Sequence, residues 1–196
     1  LHMMFQLPDI DKYDLSTLRY VQTGGAPLPN VTIDNFYNKM GYHICQVFGL
    51  TEGTALSTII SKEDAGRKRG STGRPLFHVD AKVVDDQRNQ VPAGEVGELV
   101  LKGPTVMSGY WRNPKATKET IVDGWLHTGD LARQDEEGFV YIVDRKKDMV
   151  LSGGYNVYPR DIEEVLFEHS DIQEAAVIGI PDSKYGEVVK AFVVLR

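Results

Sequence analysis

The chain has 196 residues, with 22 basic and 28 acidic side chains and a formal net charge of −6. Its 41% hydrophobic and 26% charged residues describe a globular chain long enough for one large domain or two small ones, and exclude the disordered, collagenous and membrane-spanning classes. The one cysteine, Cys45, excludes a disulfide framework and a cysteine-rich zinc site, and the acidic balance argues against nonspecific nucleic-acid binding.

The opening Leu1-His2-Met3-Met4-Phe5 lacks the basic flank and apolar stretch of a signal peptide, and the chain stops at Val193-Val194-Leu195-Arg196 inside a strand-like run. Both ends read as cut, so a fragment of a longer protein is expected. In chain order, Leu18 to Gln22 reads as a strand that breaks at Thr23-Gly24-Gly25. Pro27 to Met40 reads as a helix, with Pro29 and Asn30 near its start and Val31, Phe36, Tyr37 and Met40 at helical spacing. A second strand, Tyr42 to Phe48, makes this an αβ unit of a parallel sheet.

From Gly70 the pattern turns to short strands with Gly, Pro and Asp/Asn punctuation: Val79 to Val84, Glu98 to Lys102 and Phe139 to Val143. Gly66 to Gly73 is the turn that leads into them, with Ser71 and Gly73 fixing the backbone. Asn113 to Ile121 is a short helix with Asn113 as N-cap and Pro114 at the first helical position. After Asp148, Pro159 opens a helix through Glu168, and strands Ala175 to Ile180 and Glu187 to Leu195 follow across a Pro181-to-Gly186 turn. That change of character places a boundary near Lys147.

Five glycine-centred segments stand at strand ends, where backbone N–H groups can approach an anion or a nucleobase: Gly24-Gly25-Ala26, Phe48 to Gly53, Gly70 to Pro75, Gly124 to Asp130, and Ser152 to Asn156. Taken singly, each is an ordinary turn. Thr51-Glu52 offers a hydroxyl for a phosphate and a carboxylate for magnesium, or else a plain N-cap followed by a first-turn acid. Asp130 suits a vicinal diol or a turn, Arg145 beside Asp144 suits an exposed ion pair, and Lys146-Lys147 a solvated turn. The five histidines, His2, His43, His78, His127 and His169, have no ligand spacing, which leaves no metal site beyond magnesium.

Together, in this order and at these separations, the segments resemble the adenylate-forming superfamily of acyl-CoA synthetases, coumarate-CoA ligases, luciferases and nonribosomal peptide adenylation domains. Gly24-Gly25-Ala26-Pro27-Leu28 resembles the adenine loop, and Phe48-Gly49-Leu50-Thr51-Glu52 the aromatic-Gly-x-Thr-Glu motif. Gly97-Glu98-Leu99 through Gly109-Tyr110-Trp111, Gly124 to Asp130, and Val143 to Asp148 with Ser152-Gly153-Gly154 continue the match. The fold class implied is the α/β and β-barrel portions of the large domain of such an enzyme, followed by the start of a small α+β C-terminal domain. Residues 1–69 would end the layered αβ subdomain, 70–146 form the distorted barrel, and 147–196 hold the hinge and a truncated C-terminal domain.

The activity implied has two steps. A carboxylate attacks the α-phosphate of Mg-ATP to give acyl-adenylate and pyrophosphate, and the thiol of coenzyme A then displaces AMP. By the same resemblance Gly25, Ala26, Phe48, Gly49, Leu50 and Thr51 meet ATP or AMP, Glu52 holds magnesium, Asp130 takes both ribose hydroxyls and Arg145 adds a contact to ribose or phosphate. Lys147 is the hinge, and Gly153 and Gly154 border the coenzyme A tunnel. Leu151 departs from a lysine of the coumarate ligases.

The family's phosphate loop upstream of Gly24 and its C-terminal lysine fall outside the chain, so the fragment alone is expected to be inactive. A fatty-acid-CoA ligase leads the readings. An adenylation domain loading a carrier protein and a non-catalytic nucleotide-binding module stand beside it. The implied protein is cytoplasmic, at most peripheral to a membrane. The cut would expose strand edges near residues 15–60, so dimers or domain swapping are expected.

Overall fold

A computed structural model describes residues 10–196. The opening residues read for a signal peptide, His2 among them, lie outside the described part. Three sheets follow one another along the chain. In the first, β1 (Val21–Thr23) pairs in parallel with β2 (Ile44–Phe48) across the helix α1 (Asn30–Met40), as the αβ unit requires. Ile33 and Phe36 are the buried face of α1. Two short strands, β3 (Thr58–Ile59) and β4 (Arg74–Pro75), extend this sheet antiparallel. Between them lies a single-turn helix, α2 (Lys62–Ala65), capped by Ser61, whose Oγ accepts from the Asp64 N–H.

The second sheet is antiparallel. It holds β5 (Asp80–Val84), β6 (Val96–Lys102), β7 (Ile121–Val122), β8 (Trp125–Gln134) and β9 (Val140–Arg145), with β6 and β9 flanking β8. The helix α3 (Pro114–Thr120) starts as expected, the Asn113 side chain accepting from the Ala116 N–H. Val83, Leu99, Leu101, Leu126, Ala132 and Val140 close into the main core. Each Val and Leu side chain among these contributes about 1.5–3 kcal/mol by leaving water. A smaller cluster of Cys45, Ile60, Ala65 and Phe139 joins the first sheet to the second, and burial pushes the Cys45 thiol up. Ser71 Oγ donates to Val140 O and accepts from the Gly73 N–H, so the turn before β4 is fixed as the sequence suggests.

The third sheet, ordered β11-β10-β13-β12, consists of β10 (Val150–Ser152), β11 (Tyr155–Val157), β12 (Ile172–Asp182) and β13 (Gly186–Leu195), with α4 (Pro159–Phe167) packed on β12. Sheet membership changes across the turn Lys146–Asp148. A polar seam ties α4 to the preceding body. The Arg160 guanidinium donates to Ile142 O at 3.1 Å and to Leu28 O at 3.5 Å, and the Arg160 N–H donates to Asp144 Oδ2 at 3.2 Å. Glu164 accepts from the Asn30 N–H at 2.9 Å, capping α1 from the helix α4, since Pro29 offers no side-chain acceptor.

Two expectations change. Gly124 to Asp130 is not a strand-end turn: it lies almost wholly within β8, the longest strand of the second sheet, because Leu126 and Leu131 pair with neighbours on both sides and Trp125 pairs with Val122. Thr51 is not an N-cap either. It is the first residue of a single 3-10 turn, Thr51–Gly53, with Leu50 in extended conformation before it. No helix among the described residues is long and apolar enough to cross a membrane.

Candidate functional site

The end of β2 and the loop after β1 face α4 and the end of β9 across a cleft of about 440 Å³. Gly25, Ala26, Phe48, Gly49, Leu50, Asp130 and Arg145 all line it. Segments far apart in sequence thus converge on one hollow. Gly49 lets the chain turn tightly at its floor, because a Cβ there would stand 1.4 Å from Ala55 O. Asp130 is 8% exposed and borders a second, more open cleft that Glu52, Tyr110, His127, Lys146 and Lys147 also line.

Asp130 is presented by a break in the ladder. Glu98 pairs with Leu131 and Val100 with His127, so Leu99 alone faces the three residues Thr128, Gly129 and Asp130. Gly129 takes φ +72°, which a residue with a Cβ adopts only at a cost. Thr128 Oγ1 donates to Leu99 O at 2.7 Å and accepts from the Asp130 N–H at 3.1 Å. Burial pushes the Asp130 carboxyl above the ordinary 3.8, against the pull of Arg145 and with the push of Glu98. The Arg145 Nε stands 3.5 Å from Asp130 Oδ1 on a largely exposed side chain, so water screens that pair.

Arg145 therefore faces Asp130 and not Asp144, whose carboxylate accepts from the Arg145 and Arg160 N–H groups instead. Lys146 is no solvated turn lysine: its Nζ meets Asp86 at 2.9 Å and Glu98 at 3.4 Å. Lys147, exposed at the turn apex, matches that description better. Glu52 accepts from the Tyr110 phenol at 2.7 Å, and this bond, followed by burial, raises the Tyr110 pKa. No group of three or more His, Cys, Asp or Glu among the described residues is placed to hold a metal. Glu52 offers one carboxylate, which suits an ion that takes its other ligands from substrate phosphates and water. Gly153 and Gly154 form the exposed turn between β10 and β11 and line neither cleft.

The AMP-binding enzyme family matches residues 1–111, and its C-terminal domain matches residues 161–196. The chain belongs to the AMP-binding enzyme family. It is 47% identical over 188 residues to a long-chain-fatty-acid–CoA ligase of Salmonella typhimurium, covering 96% of this chain and 33% of that protein. A feruloyl-CoA synthase of Amycolatopsis sp is 42% identical over 181 residues, covering 92% of this chain and 37% of that protein. Among solved structures, the o-succinylbenzoate CoA synthetase of Bacillus subtilis with its acyl-adenylate intermediate superposes with a TM-score of 0.89 at 36% identity, covering all of this chain and 40% of the other. The amide bond synthetase McbA of Marinactinospora thermotolerans does so with 0.91 at 39% identity, over 99% of this chain and 40% of the other. The chain thus spans about a third of the curated relatives it matches. The fold is that of a piece of an adenylate-forming enzyme.

In this AMP-binding enzyme chain, sequence reasoning assigned no role to Glu98, Arg160 or Glu164. Each had a signal. Glu98 interrupts the run Val96 to Leu101, otherwise apolar apart from Gly97, and Arg160 and Glu164 share one helix face at i, i+4 spacing.

Proposed function

We propose that the protein to which this chain belongs activates a carboxylic acid, in the first place a fatty acid, with ATP and passes the acyl group to coenzyme A. The single observation that carries this reading is the convergence of Gly25, Ala26, Phe48, Gly49, Asp130 and Arg145 on one cleft. The half-buried Phe48 supplies an apolar wall for a flat base, and Gly25 and Ala26 leave the backbone accessible beside it. The Asp130 carboxylate has two oxygens able to accept from the two vicinal hydroxyls of a ribose, a charge-assisted pair in a largely water-excluded place.

Glu52, in the turn beyond β2, lines the second cleft and is read as facing the phosphate side, with the exposed Thr51 hydroxyl just before it in the chain. A magnesium ion held by Glu52 and the phosphates would neutralise charge on the departing pyrophosphate. Tyr110 keeps the Glu52 carboxylate turned toward the second cleft. Lys147, at the turn between two sheets, is read as the pivot that brings Gly153 and Gly154 to the nucleotide cleft for thioester formation.

The relatives named fatty-acid–CoA ligases favour coenzyme A as acceptor, whereas the amide bond synthetase neighbour is named for a different product. The test is a panel of acids on the full-length protein, scored by pyrophosphate release and by thioester formed with coenzyme A. Acid-dependent release with thioester is expected. Release without thioester, and with amide when an amine is supplied, would replace the acceptor; no release with any acid would overturn the reading.

A further inference from the structure

Glu98 has the contacts of a device that sets the aim of Asp130, and neither the motif it belongs to nor the nucleotide cleft accounts for it. Its side chain is only 12% exposed, at a strand position where an apolar residue would be ordinary. The three-residue excursion Thr128–Gly129–Asp130 bows out opposite Leu99, immediately beyond it. Glu98 Oε1 accepts from the Gly129 N–H at 3.1 Å, and Oε2 faces His127 Nδ1 at 3.2 Å and Lys146 Nζ at 3.4 Å. The Gly129 carbonyl in turn accepts from the Lys146 N–H at 2.8 Å. One half-buried carboxylate therefore grips the excursion at its middle peptide, at the strand residue entering it and at the side chain of the residue that holds its far side.

From this geometry we infer that Glu98 is a positioning residue for ribose recognition: it fixes the Gly129 peptide so that the Asp130 carboxylate meets the ribose hydroxyls. The inference rests on the reading of Asp130 as the ribose acceptor. The physical reason is that Asp130 cannot be aimed by its own surroundings. Its partner Arg145 is mostly exposed, and an excursion of three residues has lost its regular ladder bonds to β6. What remains are the pairing of Asp130 with Arg145 of β9 and the Lys146 N–H beside it, the Thr128 hydroxyl bonds and the Glu98 carboxylate, and of these only Glu98 brings a charge-assisted bond to the peptide next to Asp130.

The readout is nucleotide preference in the full-length protein: the ratio of kcat/KM for ATP to that for 2′,3′-dideoxyATP in acid-dependent pyrophosphate release. Glu98→Ala is expected to lower this ratio about tenfold or more, because the Gly129 N–H loses its acceptor. Glu98→Gln keeps an oxygen within reach and should hold the ratio within about threefold of the parent. If Glu98→Ala does not fold, Glu98→Asp decides, since it retains the charge but withdraws the oxygens by one methylene; it too should lower the ratio.

A merely structural role would slow both nucleotides alike and leave the ratio unmoved in Glu98→Ala and Glu98→Asp, and that result overturns the inference. Asp130→Asn is run alongside. If it abolishes the preference while the Glu98 variants keep it, the positioning role is wrong and the ribose reading stands. If Asp130→Asn itself keeps the preference, the ribose reading fails and the positioning role falls with it.

Discussion

Replacing Arg160 by alanine should loosen the third sheet from the rest of the molecule. The guanidinium donates to Ile142 O at 3.1 Å, reaches Leu28 O at 3.5 Å, and stands 3.6 Å from Glu164, its side chain 19% exposed. A hydrogen bond from a charged donor contributes about 1.5–3 kcal/mol. The Leu28 contact is at the limit of hydrogen-bond distance and adds little, and the pair with Glu164 is one turn of the same helix and does not cross the seam. The loss is therefore about 2–3 kcal/mol of docking, or roughly 30–150-fold in the equilibrium between docked and undocked arrangements.

The Asn30 amide reads this directly. As the first residue of α1 it has no acceptor within its own helix, and its partner is Glu164 across the seam. Hydrogen exchange at Asn30 should rise about 30-fold or more in Arg160→Ala, with buried amides of β6 and β8 unchanged. Arg160→Lys keeps the charge without the planar fork that spans both carbonyls, and should fall between. An Asn30 exchange rate within about threefold of the parent would refute the claim that Arg160 holds the seam.

In the full-length protein, Glu52→Ala should slow adenylation about 100-fold while leaving thioester formation from preformed acyl-adenylate within about threefold, as single-turnover kinetics of each step would show; equal losses would remove Glu52 from the phosphate side. Lys147→Pro, which fixes φ and removes an N–H at the turn after β9, should do the reverse, lowering the second step about 100-fold, roughly 2.7 kcal/mol on its barrier. The raised Asp130 pKa means that the folded chain binds this proton more tightly than the unfolded chain, so ionising Asp130 costs stability. That cost is absent below the ordinary 3.8 and complete above the folded value. Asp130→Asn should accordingly gain stability over the parent as pH rises through that window, measured by denaturant unfolding across pH; a difference independent of pH would contradict the burial argument.

Local chemistry made much of this chain legible. Asn113 and Pro114 start a helix because an Asx side chain and a missing N–H both suit a first turn, and the structure has that cap. The paired strands β12 and β13 follow from apolar runs bounded by turn residues, and β1, α1 and β2 from a change of period between strand and helix. The order of the glycine-centred motifs was enough to assign the family, since such loops depend on residue type and spacing along one chain. β8 was hidden because its sequence, Trp125 to Gln134, carries Gly129 and Asp130 in its middle, and only pairing with neighbouring strands before and after that excursion makes one strand of the segment.

The cleft itself was decided by tertiary structure. Asp130 joins Gly25 and Phe48 through the packing of separate sheets, and the burial that raises its pKa comes from neighbours distant in sequence. The same holds for Glu98, Arg160 and Glu164. A charged side chain reads as solvated until its partner is known, and their partners at Gly129, Ile142 and Asn30 lie 31, 18 and 134 residues away. Periodicity and turn chemistry act over a few residues, whereas burial and charge pairing depend on which surfaces the folded chain brings face to face.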